Sequence, residues 1–307
     1  YTQWYTLSLH DALPISYTQE DFTQLLELCD HIVFNSFGQW KKYRQQVQDA
    51  TRNISCGIRI NPGYAEVETD LYNPCISGSR MGVPLEQMEE EGFDGLDGIH
   101  FHTMCEQNSD VLERTLDQML PKFDKWLKRC KWVNFGGGHH ITSPDYDVER
   151  LVRCVERVRD AYGVQVYLEP GEAVALNAGY LVATVLDIVH NGMDIAILDA
   201  SAACHMPDVL EMPYRPHILY SGKPEEKVHT YRLAGNTCLA GDVIGDYSFD
   251  HRLQPGDKLV FCDMAIYSMV KNNTFNGVPL PDIALYQNGK IELVKHFGYA
   301  DFEGRLS

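Results

Sequence analysis

Through the first half of the chain, short apolar runs alternate with longer amphipathic stretches. Five of the runs read as strands: HIVFNS (31–36), ISCGIRINP (54–62), GIHFHT (98–103), WVNFGGG (132–138) and VYLEPG (166–171). Helical patterns fall between them. Thr18 and Asp21 form a capping pair ahead of Phe22, Leu25, Leu26 and Cys29, and a polar helix-like stretch follows the first strand. Leu112, Leu116, Met119, Leu120, Phe123 and Leu127 share one helical face, with a bend expected at Pro121, and a further helix is expected at about 146–162. Residues 63–83 hold Pro, Gly, Asn and Ser without period and predict a long loop, the kind that contacts ligand at a barrel mouth. Repeated strand–helix units predict an α/β fold, and five units suit either an open doubly wound sheet or part of an eight-stranded barrel.

After Glu172 the pattern changes. An apolar run rich in β-branched residues (173–190) leads into MDIAILDAS, KVHTYRLAG, KLVFCDMAIYSMV, DIALYQNG and KIELVKHFG, separated by Gly, Pro and Asn turns. That composition predicts a mainly antiparallel β-domain. Residues 17–175 are assigned to the α/β part and 176–307 to the β-domain. The first sixteen residues keep no period, and LSLHDALPIS reads like the translation of a sequencing adapter, so a non-native segment is expected at 1–16.

With 307 residues, 44% of them hydrophobic, the chain can bury one large core or a barrel plus a smaller domain. A net charge of −17 without any basic run argues against nucleic acid and anionic membranes, and fits either a cationic ligand or plain solubility. Nine scattered cysteines without a CxxC pair, no membrane-length apolar run and no secretion-type start predict a reduced, cytoplasmic setting.

Chemistry concentrates at strand ends. Three glycines, Gly136, Gly137 and Gly138, strip side chains from the end of a strand, so their amides can converge on a phosphate, although a plain turn reads equally well from these residues alone. Glu169 ends a buried strand, where an ionised carboxylate needs a cationic partner. His100, His102, His139 and His140 invite a metal reading, but no acidic residue completes a typical ligand set with them, and no metal is expected.

Together HFHTMCEQN (100–108), WVNFGGGHHIT (132–142), YLEPGEA (167–173), HMPDVLEMPYRP (205–216) and NTCLAGDVIGDYSF (236–249) resemble the carboxynorspermidine/carboxyspermidine decarboxylases, pyridoxal-phosphate enzymes of polyamine synthesis with an alanine-racemase-like fold. The resemblance runs from about residue 17 to 307. It implies an incomplete TIM-type (β/α)8 barrel holding strands four to eight, then the β-domain, in a homodimer with shared active sites. It implies that Gly136–Gly138 and Tyr267 contact the cofactor phosphate, that Glu169 pairs with the pyridine nitrogen and that His102 stacks on the ring. By the same resemblance Cys238 returns a proton to the substrate carbon, Asp242 holds a substrate amine, and Asp208 and Glu211 face distal ammonium groups, unless those two form only a solvated acidic face. Glu172 stands where related decarboxylases carry an Arg, which removes its phosphate contact, and Ile266 stands where a His is expected beside Tyr267. The cofactor-binding lysine of an ALKG-like first strand has no counterpart, so an N-terminally truncated and inactive chain is expected. Rival readings are a diaminopimelate, arginine or ornithine decarboxylase of the same fold, which HFHTMCEQ and EPGEA disfavour, and a non-catalytic relative.

Overall fold

A computed structural model describes residues 15–212 and 214–307, in two compact units that divide between Val174 and Ala175. The 1–16 segment therefore lies, apart from its last two residues, outside the described part. No described helix is long and apolar enough to cross a membrane.

The first unit runs α1 (Gln19–Leu28), β1 (His31–Phe34), α2 (Phe37–Gln48), β2 (Ser55–Asn61), the two-residue β3 (Val83–Pro84), β4 (Gly98–His100), α3 (Ser109–Leu127), β5 (Trp132–Asn134), α4 (Val148–Tyr162), β6 (Gln165–Tyr167) and the short α5 (Gly171–Ala175). Each long helix starts on a side-chain cap: Thr18, Ser36, Asn108 and Asp147 each accept a main-chain N–H of the first turn. α3 continues through Pro121. The main strands form one parallel sheet in the order β1-β2-β4-β5-β6, with β3 beside β2. This is the α/β barrel-type order the alternating sequence predicts. In the 63–83 loop, Glu66 takes both Nε and Nη2 of Arg114 at 2.7 Å, and Asn61 Nδ2 donates to the Pro74 carbonyl at 3.2 Å.

Register explains which side chains go where. Gly57, Gly98 and Trp132 lie side by side, as do Arg59, His100, Asn134 and Tyr167 two residues along. Successive residues of a strand point to opposite faces. Ile58, Ile60, Ile99, Phe101, Val133 and Phe135 therefore turn to the helix-covered face and join the main core. The other face carries polar and aromatic groups. On it the buried Trp132 indole lies across two neighbouring strands, and a Cβ at Gly98 or Gly57 would sit 2.1 or 2.2 Å from its ring. Its Nε1 donates to Ser55 Oγ at 2.8 Å.

His31 of β1 and Tyr167 of β6 belong to opposite edges of the sheet, yet their ring centroids are 5.4 Å apart, and both contact Trp132. In a flat sheet four strand spacings would separate those edges by roughly 19 Å. The sheet is therefore curled, and this aromatic trio fills its concave side.

The second unit contains β7 (Tyr180–His190), β8 (Asp194–Leu198), α6 (Ala202–His205), α7 (Asp208–Glu211), β9 (His229–Ala234), β10 (Val243–Phe249), β11 (Lys258–Cys262), α8 (Tyr267–Val270), β12 (Ile283–Gln287), β13 (Lys290–Lys295) and α9 (Tyr299–Leu306). Its five-stranded sheet has the order β10-β9-β8-β7-β11. All pairs are antiparallel except β8–β9, which is parallel. β12 and β13 make a separate hairpin, exposed on both faces, whose Asn288–Gly289 turn has φ of +52° and +75°. The described cysteines are all free thiols.

Trp132 fills space that only glycine leaves open. Gly98→Ala is expected to cost about 1–3 kcal/mol by overpacking, read from denaturant unfolding of the first unit. Gly98→Ala combined with Trp132→Leu should recover part of that loss. Full additivity of the two changes would show that the contact does not limit packing.

Candidate active site at the glycine turn

β5 ends at Asn134 and runs into the glycine turn, where main chain packs directly on main chain. Gly136 (φ +71°) and Gly138 (φ +81°) take left-handed conformations, and a Cβ on them would sit 2.4 Å from the Phe101 carbonyl and 2.1 Å from the Met104 carbonyl. A Cβ on Gly137 would sit 2.7 Å from the Glu169 carbonyl oxygen. The turn is tied to its neighbours: Glu169 N–H donates to the Gly136 carbonyl at 2.9 Å, and Gln107 N–H to the Gly138 carbonyl at 2.9 Å.

Two of the three glycine amides already have partners. Gly136 N–H donates to Asn134 Oδ1 at 2.8 Å, and Gly137 N–H to His102 Nδ1 at 3.1 Å. Because His102 accepts at Nδ1, its proton sits on Nε2. Burial, reinforced by His100 and Arg59, pushes the His102 pKa down to about 4. His139 is 1% exposed, and burial lowers its pKa to about 4 against weaker pulls from the Phe135 and Gly136 main chain.

The Glu169 side chain is only 7% exposed. Asn134 Nδ2 donates to its Oε1 at 2.7 Å, and His100 Nε2 lies 3.4 Å from its Oε2. Burial alone would raise the pKa of this carboxyl, but the His100 and Asn134 contacts outweigh it and hold the group below the usual carboxylate range. His100 Nδ1 is buried without a hydrogen-bond partner, so the ring meets Glu169 through Nε2 alone. Arg59, 8% exposed on β2, adds positive potential and places its Nη2 3.6 Å from Met81 Sδ.

Gly136, Gly137, Gly138, His102 and Glu169 thus meet at one end of the sheet. Arg59 and Asn134 were not anticipated, and His100 and His139 were noticed only as possible metal ligands. The available signal was alternation: all but His139 share the inward parity of strands whose outward residues are apolar.

The second unit holds the remaining expected residues. Cys238 is exposed, on a turn where its amide donates to Asn276 Oδ1 at 3.1 Å. Asp242, expected beside a substrate amine, is instead 3% exposed, and its carboxylate already accepts from Ser201 Oγ at 2.8 Å, Thr237 Oγ1 at 2.7 Å and Ala203 N at 3.2 Å. This makes Asp242 the anchor of the turn that carries Cys238. Asp208 and Glu211 share the Lys271 ammonium at 2.5 and 3.5 Å, so an ammonium of the chain itself occupies that acidic pair. Tyr267 is 55% exposed, 5.7 Å from the same Lys271 nitrogen.

A model of the pyridoxal-dependent decarboxylases, described as their C-terminal sheet domain, matches residues 11–265. The carboxynorspermidine/carboxyspermidine decarboxylase of Campylobacter jejuni is 43% identical over 97% of this chain and 80% of that protein. The chain belongs to the pyridoxal-dependent decarboxylases. Within this family, the carboxyaminopropylagmatine decarboxylase of Synechocystis is 42% identical over 95% of this chain and 76% of its own length. The crystal structure of carboxynorspermidine decarboxylase complexed with norspermidine from Campylobacter jejuni aligns with a TM-score of 0.85 and 41% identity, covering 95% of this chain and 79% of that one. A diaminopimelate decarboxylase of Methanothermobacter thermautotrophicus is only 25% identical, over 80% of this chain and 63% of its own.

The residues present fit the family cofactor. The turn offers side-chain-free main chain where any Cβ would clash, and Glu169 is a buried carboxylate held by the Asn134 amide and the His100 imidazole. Among the described strands no inward-facing residue is a lysine.

The two depressed histidines give a pH signature. Each binds a proton in the unfolded chain from pH about 6.5 downward, but in the fold only near pH 4. Stability of the first unit is therefore full above pH 6.5 and is lost as pH falls toward 4, by about 1.4 kcal/mol per pH unit for each group. His139→Phe should halve that slope in urea unfolding series. An unchanged slope would remove His139 from the assignment.

Proposed function

We propose that the protein serves the decarboxylation of a carboxylated polyamine of the carboxynorspermidine or carboxyspermidine kind, with pyridoxal 5′-phosphate, as a homodimer. The observation that carries the reading is the ionised Glu169 carboxylate buried beside the glycine turn, in a chain 43% identical to an enzyme of that name. When bound, the cofactor supplies an electron sink for the carbon that loses CO2.

The chain's own residues do the rest. Glu169 holds a proton at the pyridine nitrogen. The glycine turn would receive the phosphate through main-chain N–H, Gly138 carrying the amide not already held by Asn134 or His102, and His102 would pack against the ring. Cys238 Sγ gives a proton to the carbon from which CO2 departs, and it does so from the partner subunit, which makes the dimer the working form. Asp208 and Glu211 receive a substrate ammonium in exchange for that of Lys271. A charge of −17 favours cationic substrates over anionic ones at encounter. Selectivity between two polyamines differing by a methylene stays modest, since such a group is worth only about 1–3 kcal/mol.

The first test is direct. Titrated with pyridoxal 5′-phosphate, the chain should bind it weakly, show no discrete internal imine band, and after borohydride reduction carry pyridoxyl groups only on scattered surface lysines in peptide maps. CO2 release from carboxynorspermidine should be negligible. Extended at its N-terminus by a segment with a family-like ALKG lysine, it should both trap the cofactor and release CO2. An extended protein that traps the cofactor but releases CO2 faster from diaminopimelate would replace the substrate assignment.

In that extended protein Cys238→Ala should slow turnover by about 10²–10⁴-fold while cofactor trapping stays unchanged. A variant as fast as its parent would leave Cys238 as a surface thiol and return the proton-donor role to another group.

A further inference from the structure

Asn134 makes two hydrogen bonds that point in opposite directions. Its Nδ2 donates to Glu169 Oε1 at 2.7 Å, and its Oδ1 accepts from Gly136 N–H at 2.8 Å. It is 9% exposed, and the register that pairs it with His100 and Tyr167 fixes its inward direction. We propose that Asn134 is a positioning residue whose single amide couples the carboxylate of Glu169 to the first amide of the glycine turn, so that the two ends of the cofactor cradle are held as one unit. This rests on the reading of Glu169 and the glycine turn as the cofactor's partners.

The coupling needs an amide and no other group. An amide offers a donor on one side and an acceptor on the other, in one plane. Aspartate has the same shape but only acceptors when ionised. At position 134 it would keep the Gly136 bond and place a second carboxylate against Glu169. Two carboxylates in contact cannot both ionise cheaply, so one of them takes up a proton at higher pH. The other charged or titratable groups facing Glu169 are His100 and His102 from the β4 segment, Arg59 from β2 and His139 after the turn. All of them are unchanged by the substitution.

The test uses the unliganded chain first. With 13C in the glutamate side-chain carboxyls, the Glu169 signal is identified by its loss in Glu169→Gln and followed against pH. Asn134→Asp should give a coupled carboxyl pair whose second step, above the ordinary glutamate range, appears in the Glu169 signal. It should also weaken pyridoxal 5′-phosphate binding by roughly tenfold or more, the scale of one lost hydrogen bond to a charged group.

The double variant Asn134→Asp with Glu169→Gln reverses the pair: the new amide donates to the new carboxylate, which still accepts from Gly136. It should recover the thermal stability that Asn134→Asp loses, without recovering cofactor affinity. If Asn134→Asp does not fold, that recovery by the double variant remains the measure. An unshifted Glu169 titration, or a double variant less stable than Asn134→Asp, overturns the proposal. A shifted titration with unchanged cofactor affinity upholds the coupling and removes Glu169 from the cofactor site, so the two ideas fail separately.

Discussion

A carboxylate kept ionised in the interior is the constraint around which the first unit is arranged. Moving such a group out of water is costly unless hydrogen bonds or opposite charge replace the lost solvent. Here Glu169 gets an amide from β5, an imidazole from β4 and the more distant field of the Arg59 guanidinium on β2. Three strands must therefore stay in register within a fraction of an ångström, and parallel pairing with fixed alternation provides that. Among the described residues no lysine or arginine is hydrogen-bonded to the carboxylate. A lysine or arginine bonded to both oxygens would tie the carboxylate up, whereas an amide and an imidazole stabilise the charge and leave it able to meet a ring N–H.

The same alternation sets the curvature. Apolar side chains of β2, β4 and β5 are committed to the helices outside, so the concave side receives what remains: one indole, two glycines and a set of polar groups. Trp132 acts as a spacer at the far end of this concavity, and its fit against Gly57 and Gly98 lets the strands approach without a clash. Packing at one end and charge at the other are thus consequences of one two-residue period.

Much of this arrangement was legible because apolar outward residues announce a strand. All five expected strands of the first unit are found where the sequence placed them, with the two-residue β3 added beside β2, and the glycine turn, His102 and Glu169 assemble at their ends. What was not legible is direction. Asn134 and Arg59 look like interruptions in apolar strands until the facing of each residue is known. Asp242 is expected near a substrate amine only through the family resemblance, and no spacing in the sequence shows that its carboxylate accepts from Ser201 and Thr237. β10 was seen only as a motif, because Gly245 and Asp246 break its apolar run at the irregular step in its pairing with β9. The parallel β8–β9 pair could not be foreseen either. Parallel neighbours need a crossover, and this one consists of two four-residue helices and irregular chain, which carry no periodic signal.

The hairpin at 283–295 obeys a different rule from every other strand pair in the molecule. With both faces exposed, burial cannot choose its register, and the choice falls to the Asn288–Gly289 turn, whose two positive φ values suit only a few residue types. Structural information is therefore concentrated in two positions out of thirteen. Substitutions on either strand face leave the pairing in place, whereas a single change at the turn can re-register the whole hairpin.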